Sequence, residues 1–148
     1  MLRSTVRLLP ILFLVLFTAN SCKKKNDQKS KTQLITERDW RLTKFEEQEN
    51  NNTPIDYTNG ADACNLDDRY VFKTNNTYEI NEGPSKCVPT DPQIVDNGTW
   101  SLGDNETKFI YDGVPFTIDK LDNNTLELSY TDNSSPPDVY KYKLIFVH

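Results

Sequence analysis

Histidine is almost missing from this chain: one residue, His148, in 148. Nucleophilic catalysis of the usual serine or cysteine kind therefore lacks its imidazole base, and most zinc sites lack their ligands. A basic excess is missing too. There are 17 Lys and Arg against 22 Asp and Glu, a net charge of −5, which is the wrong sign for a phosphate-binding face. Hydrophobic residues make up 36%, below the roughly 45–50% of an ordinary globular chain. Aromatic residues are the exception: 7 Tyr, 7 Phe and 2 Trp reach 11%. The length allows one domain with a small, aromatic core.

The average conceals three unlike pieces. Arg3 and Arg7 precede an apolar run, Leu8 to Phe17, which leads through small and polar residues to Cys22. A charged start, a short apolar centre and a small-residue exit describe an export signal over residues 1–21. The run is about half the ~20 residues that span a bilayer as a helix, so a signal anchor is the weaker alternative. The exit, Ala19-Asn20-Ser21-Cys22, resembles the lipobox of bacterial lipoproteins in the looser form found in Bacteroidetes. That resemblance implies that acyl chains such as palmitate modify Cys22 and hold the protein to a membrane, since several chains anchor far more firmly than one. Residues 22–33 then form a tether: beyond the cysteine they carry no aromatic or aliphatic side chain and hold five lysines. The lysines suit either a solvated stalk or attraction to anionic headgroups. In the bacteria that the lipobox resembles, an acidic stretch after the cysteine often accompanies surface display. The basic stretch here points instead to an outer-membrane lipoprotein of the cell envelope facing the periplasm, with surface display as the alternative. Residues 34–148 remain as the folded domain, with 10 basic and 21 acidic residues and a net charge of −11.

Within that domain the pattern is alternation. Trp40, Leu42 and Lys44 alternate with Arg41, Thr43 and Phe45; Tyr70 and Phe72 share a face, as do Tyr78 and Ile80, Trp100 and Leu102, Phe109 and Tyr111, Phe116 and Ile118, and Leu126, Leu128 and Tyr130. The last run places Tyr140, Tyr142, Leu144 and Phe146 together. Thr74-Asn75-Asn76, Gly103-Asp104-Asn105, Asp112-Gly113 and Asp122-Asn123-Asn124 fall between runs and supply residues that accept positive φ. The spacing predicts eight antiparallel strands, one helical turn near Leu34–Asp39, and two long connections over 49–66 and 83–95. Closing an up-and-down barrel buries the apolar face and removes the edges; a two-layer β-sandwich satisfies the same alternation.

Cys64 and Cys87 flank the second and third strands, whose hairpin turns at Asn75-Asn76. Residues just outside the open end of a hairpin lie close together, and an exported chain meets an oxidising compartment, so a disulfide is expected.

The order of Trp40, Asp62-Ala63-Cys64-Asn65-Leu66-Asp67-Asp68 leading into Tyr70-Val71-Phe72, then Asn76-Thr77-Tyr78, Cys87, Gly98-Thr99-Trp100-Ser101-Leu102 and Tyr142-Lys143-Leu144-Ile145-Phe146 resembles the lipocalin-like domain lipoproteins of Bacteroidetes. The resemblance covers residues 34–148 and implies a lipocalin-like barrel in the cell envelope.

Candidate sites follow from the inward face. Tyr70, Phe72, Tyr78, Trp100, Phe109, Tyr130, Tyr140 and Tyr142 could line a cup for a small apolar or amphipathic ligand, their hydroxyls and indole N–H orienting it. Such bulky side chains in so short a chain also suit a barrel filled by its own core. Asp62, Asn65, Asp67 and Asp68 offer oxygen ligands for calcium, at spacings unlike an EF-hand; a capped turn is the simpler account. Asp67-Asp68 or Asp119 with Asp122 could pair as glycosidase carboxylates, but acidic residues are plentiful on this surface. The expectation is a monomeric, non-enzymatic protein with no cofactor and no nucleic-acid partner. Its functional reading is ligand binding; the alternative is an interaction module contacting an envelope protein or glycan through its long acidic loops.

Overall fold

The computed structural model describes residues 28–148; the expected export signal, Cys22 and residues 23–27 lie outside the described residues. A short helix, α1 (Lys31–Thr36), leads into nine strands: β1 (Arg41–Glu49), β2 (Ile55–Asp56), β3 (Arg69–Phe72), β4 (Thr77–Asn81), β5 (Ile94–Gly103), β6 (Lys108–Tyr111), β7 (Val114–Leu121), β8 (Thr125–Ser135) and β9 (Asp138–Val147). A second helical turn, α2 (Ala63–Leu66), precedes β3. All eight expected strands are present. The ninth, β2, is a two-residue strand inside the 49–66 connection, paired with Glu46 and Glu47 of β1. The helix sits earlier than expected and begins within the segment read as tether. Ser30 and Gln33 form a reciprocal capping box that starts it at Lys31.

The strands form one antiparallel sheet in the order β2-β1-β9-β8-β7-β6-β5-β4-β3. From β3 to β9 every neighbour in sequence is a neighbour in space; short turns join these strands except β4 and β5, which the long connection links. Asn76, Asp104, Asn105, Asp112 and Gly113 take positive φ at the hairpin turns, where these residue types tolerate it. The ladder does not close into a continuous ring. One bridge brings its two flanks together: Trp40 N–H donates to Tyr70 O at 2.9 Å, and Tyr70 N–H to Trp40 O at 2.8 Å.

Trp40 also seals the base of the barrel. It is completely buried, its Nε1–H donates to Ile35 O at 2.9 Å, and His148 lies against it at 3.7 Å between ring centroids. Ile35, equally buried, is the residue α1 inserts into that base. Around them pack Phe72, Trp100, Phe109, Leu126 and Phe146, all nearly without exposed surface.

The alternation read for β1 requires correction. A bulge falls between Leu42, opposite Phe146, and Lys44, opposite Ile145. The extra residue exchanges the faces beyond it. Phe45 turns inward opposite Leu144, and Lys44 turns outward to Glu46 at 2.7 Å. A second bulge, between Ile118 and Lys120, likewise brings Leu121 back to the core.

Cys64 and Cys87 are disulfide-bonded, with Cα atoms 5.2 Å apart, joining α2 to the connection between β4 and β5. Reduction releases a cross-link spanning 23 residues, and the chain-entropy model sets its loss at roughly 3 kcal/mol. Urea unfolding with and without reductant measures that difference. Truncating Trp40, which is fully buried, removes the base seal and the indole hydrogen bond together. Trp40→Ala should cost about 3–5 kcal/mol in the same assay, and a loss below about 1 kcal/mol would show that the seal is dispensable.

Candidate functional site

Above the sealed base the sheet holds a partly open apolar cavity of about 160 Å³. One wall comes from β1 and β9, through Leu42, Phe45, Leu144 and Phe146; the other from β3, β6, β7 and β8, through Tyr70, Phe109, Tyr111, Phe116 and Leu128. A second aromatic storey stands on the first. Tyr142 stacks over Phe45 at 6.4 Å between centroids, Tyr130 packs on Phe116 at 5.5 Å, and Tyr57 on Phe45 at 5.4 Å. The barrel is thus filled at its base and hollow toward its open end.

The eight aromatic residues expected to line a cup divide accordingly. Tyr70 and Phe109 line the cavity. Phe72, Tyr78 and Trp100 are buried in the core, with Phe72 edge-on to Trp100 at 5.8 Å and Tyr78 stacked behind Tyr111 at 4.5 Å. Tyr130 and Tyr142 form the upper storey, 6.2 Å apart. Tyr140 stands at the rim and donates to Glu49 Oε1 at 3.3 Å. Sequence reasoning left seven lining residues out of the site: Leu42, Phe45, Tyr111, Phe116, Leu128, Leu144 and Phe146. Six occupy inward positions that alternation alone reveals. Phe45 does not, because the bulge puts it there.

One wall of the cavity is backed by a tyrosine–carboxylate cluster. Tyr78 OH donates to Asp112 Oδ2 at 2.6 Å, and Asp96 Oδ2 lies 3.3 Å from the same hydroxyl. Asp112, the first residue of the Asp-Gly turn, also accepts from Thr99 N–H at 2.8 Å. Only glycine fits at residue 98, where a Cβ would stand 2.3 Å from Asp112 Oδ1 and 2.7 Å from Tyr78 Cε1. Burial, followed by Asp68 and Asp96, pushes the Tyr70 phenol up to about 12. Burial and the neighbouring Tyr78 hydroxyl raise Tyr111 further, and burial and Asp112 raise Tyr78.

The other candidate sites are occupied by structural work. Asp67 Oδ2 accepts from Ser85 Oγ at 2.6 Å and Ser85 N–H at 3.2 Å, and Asn65 Oδ1 lies 3.2 Å from Cys87 Sγ in the disulfide. Asp62 is the N-cap residue of α2 without a side-chain cap, and burial with Glu82 nearby raises the Asp68 carboxyl. Among the described residues, no three His, Cys, Asp or Glu side chains are grouped to hold a metal ion. Asp119 is exposed, while Asp122 closes its own turn by accepting from Asn124 and Thr125 N–H at 2.8 and 2.9 Å.

A meander of antiparallel strands around an apolar cup, sealed at one end, defines an up-and-down β-barrel of the ligand-binding type. The chain belongs to the lipocalin-like domain family, whose model matches residues 37–128, more than half of its length. The match runs from the approach to β1 into β8; the remainder of β8 and all of β9 complete the sheet beyond it. No curated protein matches the sequence. Families of this fold generally bind rather than catalyse.

The buried phenols fix how stability responds to alkali. Their folded-state pKa values lie above the ~10 of an unfolded tyrosine, so their contribution is complete below about pH 10 and is lost as pH rises toward 12 for Tyr70. Tyr70 alone, displaced from 10.0 to about 12, contributes on the order of 3 kcal/mol to that loss. Urea midpoints at about pH 8 and pH 11.5 should reveal it, and Tyr70→Phe should reduce the dependence without removing it, since Tyr78 and Tyr111 are raised too.

Proposed function

We propose that this protein is a membrane-anchored lipoprotein of the bacterial cell envelope, held through acylated Cys22, whose barrel binds a small apolar or amphipathic molecule without transforming it. The observation that supports ligand binding is the partly open apolar cavity of about 160 Å³ with its aromatic storey above. Its volume sets the scale. Drug-sized pockets run to ~300–1,000 Å³, whereas a cavity of ~150 Å³ lined by aliphatic and aromatic side chains takes a benzene-sized group. One ring or a short alkyl segment fills this cup, and any remainder of the ligand lies among Tyr57, Tyr130 and Tyr142. The export signal and lipobox support the address, and the lysine-rich stretch after Cys22 supports the periplasmic side of the outer membrane.

A specific observation favours the second reading, an interaction module. The exposed large hydrophobic side chains among the described residues, Ile55, Tyr57, Val88, Ile94, Val95 and Val114, all belong to segments at the open end, and most lie on or beside the two long connections. A protein or glycan partner meeting that end would cover them.

Titration of benzene into the protein, followed by methyl NMR, tests the cup. Leu42, Leu128 and Leu144 line it, so their methyl signals should shift saturably, and Leu144→Phe, which fills the space, should abolish the response. Unmoved leucine signals, or an equal response in the filled variant, would exclude a ligand cup and leave the interaction module.

A further inference from the structure

The cup's floor and walls are mostly apolar, so the groups at its mouth decide which amphipathic molecules enter. Ladder register identifies them. Phe45 faces inward opposite Leu144; two residues on, Glu47 pairs with Tyr142, and two further, Glu49 pairs with Tyr140. On the other side of β9, Tyr142 pairs with Tyr130 and Tyr140 with Asp132. On the far wall Asp96 pairs with Ile80 and reaches the Tyr78 hydroxyl. On β1, β8 and β9 the inward positions above the cavity are therefore tyrosine and carboxylate.

Lysines close in sequence are turned away. The β1 bulge sends Lys44 out to Glu46, and Lys143, one residue from Leu144 and Tyr142, lies 3.6 Å from Glu127 on the outer face. Lys141 alternates outward in the same way, between Tyr140 and Tyr142. Glu47 has no cationic partner among the described residues within ion-pair distance, and its charge is felt directly at the cup: together with burial, Glu47 and Asp132 raise the Tyr142 phenol. A concave, low-dielectric site lined by one sign of charge concentrates the opposite sign, and aromatic faces add attraction for a cation held over them. The same field opposes the carboxylate of a fatty acid, whose chain alone would suit the cavity.

We infer that the barrel selects an organic cation, a small aryl or alkyl ammonium whose apolar part fills the cup beneath Phe45 and Phe116 and whose nitrogen sits among Tyr130, Tyr142, Glu47 and Asp132. This assignment rests on the reading of the cavity as a ligand site.

Three ligands of one shape and different charge separate the two ideas. Benzylammonium, benzyl alcohol and benzoate are titrated against the full chain by calorimetry and methyl NMR at low salt. Benzylammonium should bind at least about tenfold tighter than the alcohol, and benzoate at least about tenfold weaker. Glu47→Gln should reduce the preference for ammonium over alcohol at least about threefold. In case that variant is perturbed, about 1 M salt applied to the unaltered protein should erase most of the preference. Alcohol binding without ammonium preference, or a preference for benzoate, would overturn the cation assignment while leaving the cup intact. Failure of all three ligands, with unmoved Leu42, Leu128 and Leu144 methyls, would overturn the cup and the assignment together.

Discussion

The two-way hydrogen bond between Trp40 and Tyr70 is the constraint on which the rest depends. Hairpins hold β3 to β9 in sequence, and β9 holds β1, but nothing in that chain of neighbours obliges its flanks to meet. The bridge makes them meet at one residue pair. Because Trp40 is the residue chosen, the indole also fills the base, caps Ile35 O and gives His148 a surface to lie on. Because Tyr70 is its partner, the bridging residue is also a wall of the cavity. Closure, floor and site are three consequences of one contact.

The strands and tight turns were legible because both signals are local. Alternation of Tyr78 with Glu79, or of Leu126 with Glu127, needs no knowledge of the rest of the chain, and Asp112-Gly113 forms its turn from residue type alone. The lipocalin-like assignment was legible for the same reason: its pieces are strand–turn signatures in a fixed order. The illegible parts are those that tertiary pairing decides. β2 is two residues long and exists only because the edge of β1 offers Glu46 and Glu47. The β1 bulge depends on register with β9, and by exchanging Lys44 for Phe45 it changed the inner lining and the placement of charge at once. Equal-looking aromatic residues took different roles because the barrel narrows onto a sealed base. Phe72, Tyr78 and Trp100 pack there, while Tyr130 and Tyr142, on the same kind of inward position, stand in the open half.

Charge and burial work on the same phenols. Tyr70, Tyr78 and Tyr111 are kept protonated by loss of water and by carboxylates close by, so each hydroxyl remains a hydrogen-bond donor over the whole physiological range. This acidic domain therefore holds neutral tyrosines backed by carboxylates.

The pairing of β1 with β9 also has a consequence in time. Arg41 lies beside Val147, 106 residues later in the chain. A chain that emerges N-terminus first, whether from a ribosome or across a membrane, leaves β1 without that partner until residue 147 has emerged, while the hairpins from β3 to β8 can already form. The small β2 strand covers only the distal end of β1 in that interval. The first strand made is thus among the last to be placed, and the barrel is assembled from its middle outward, with the arrival of β9 as the event that completes it.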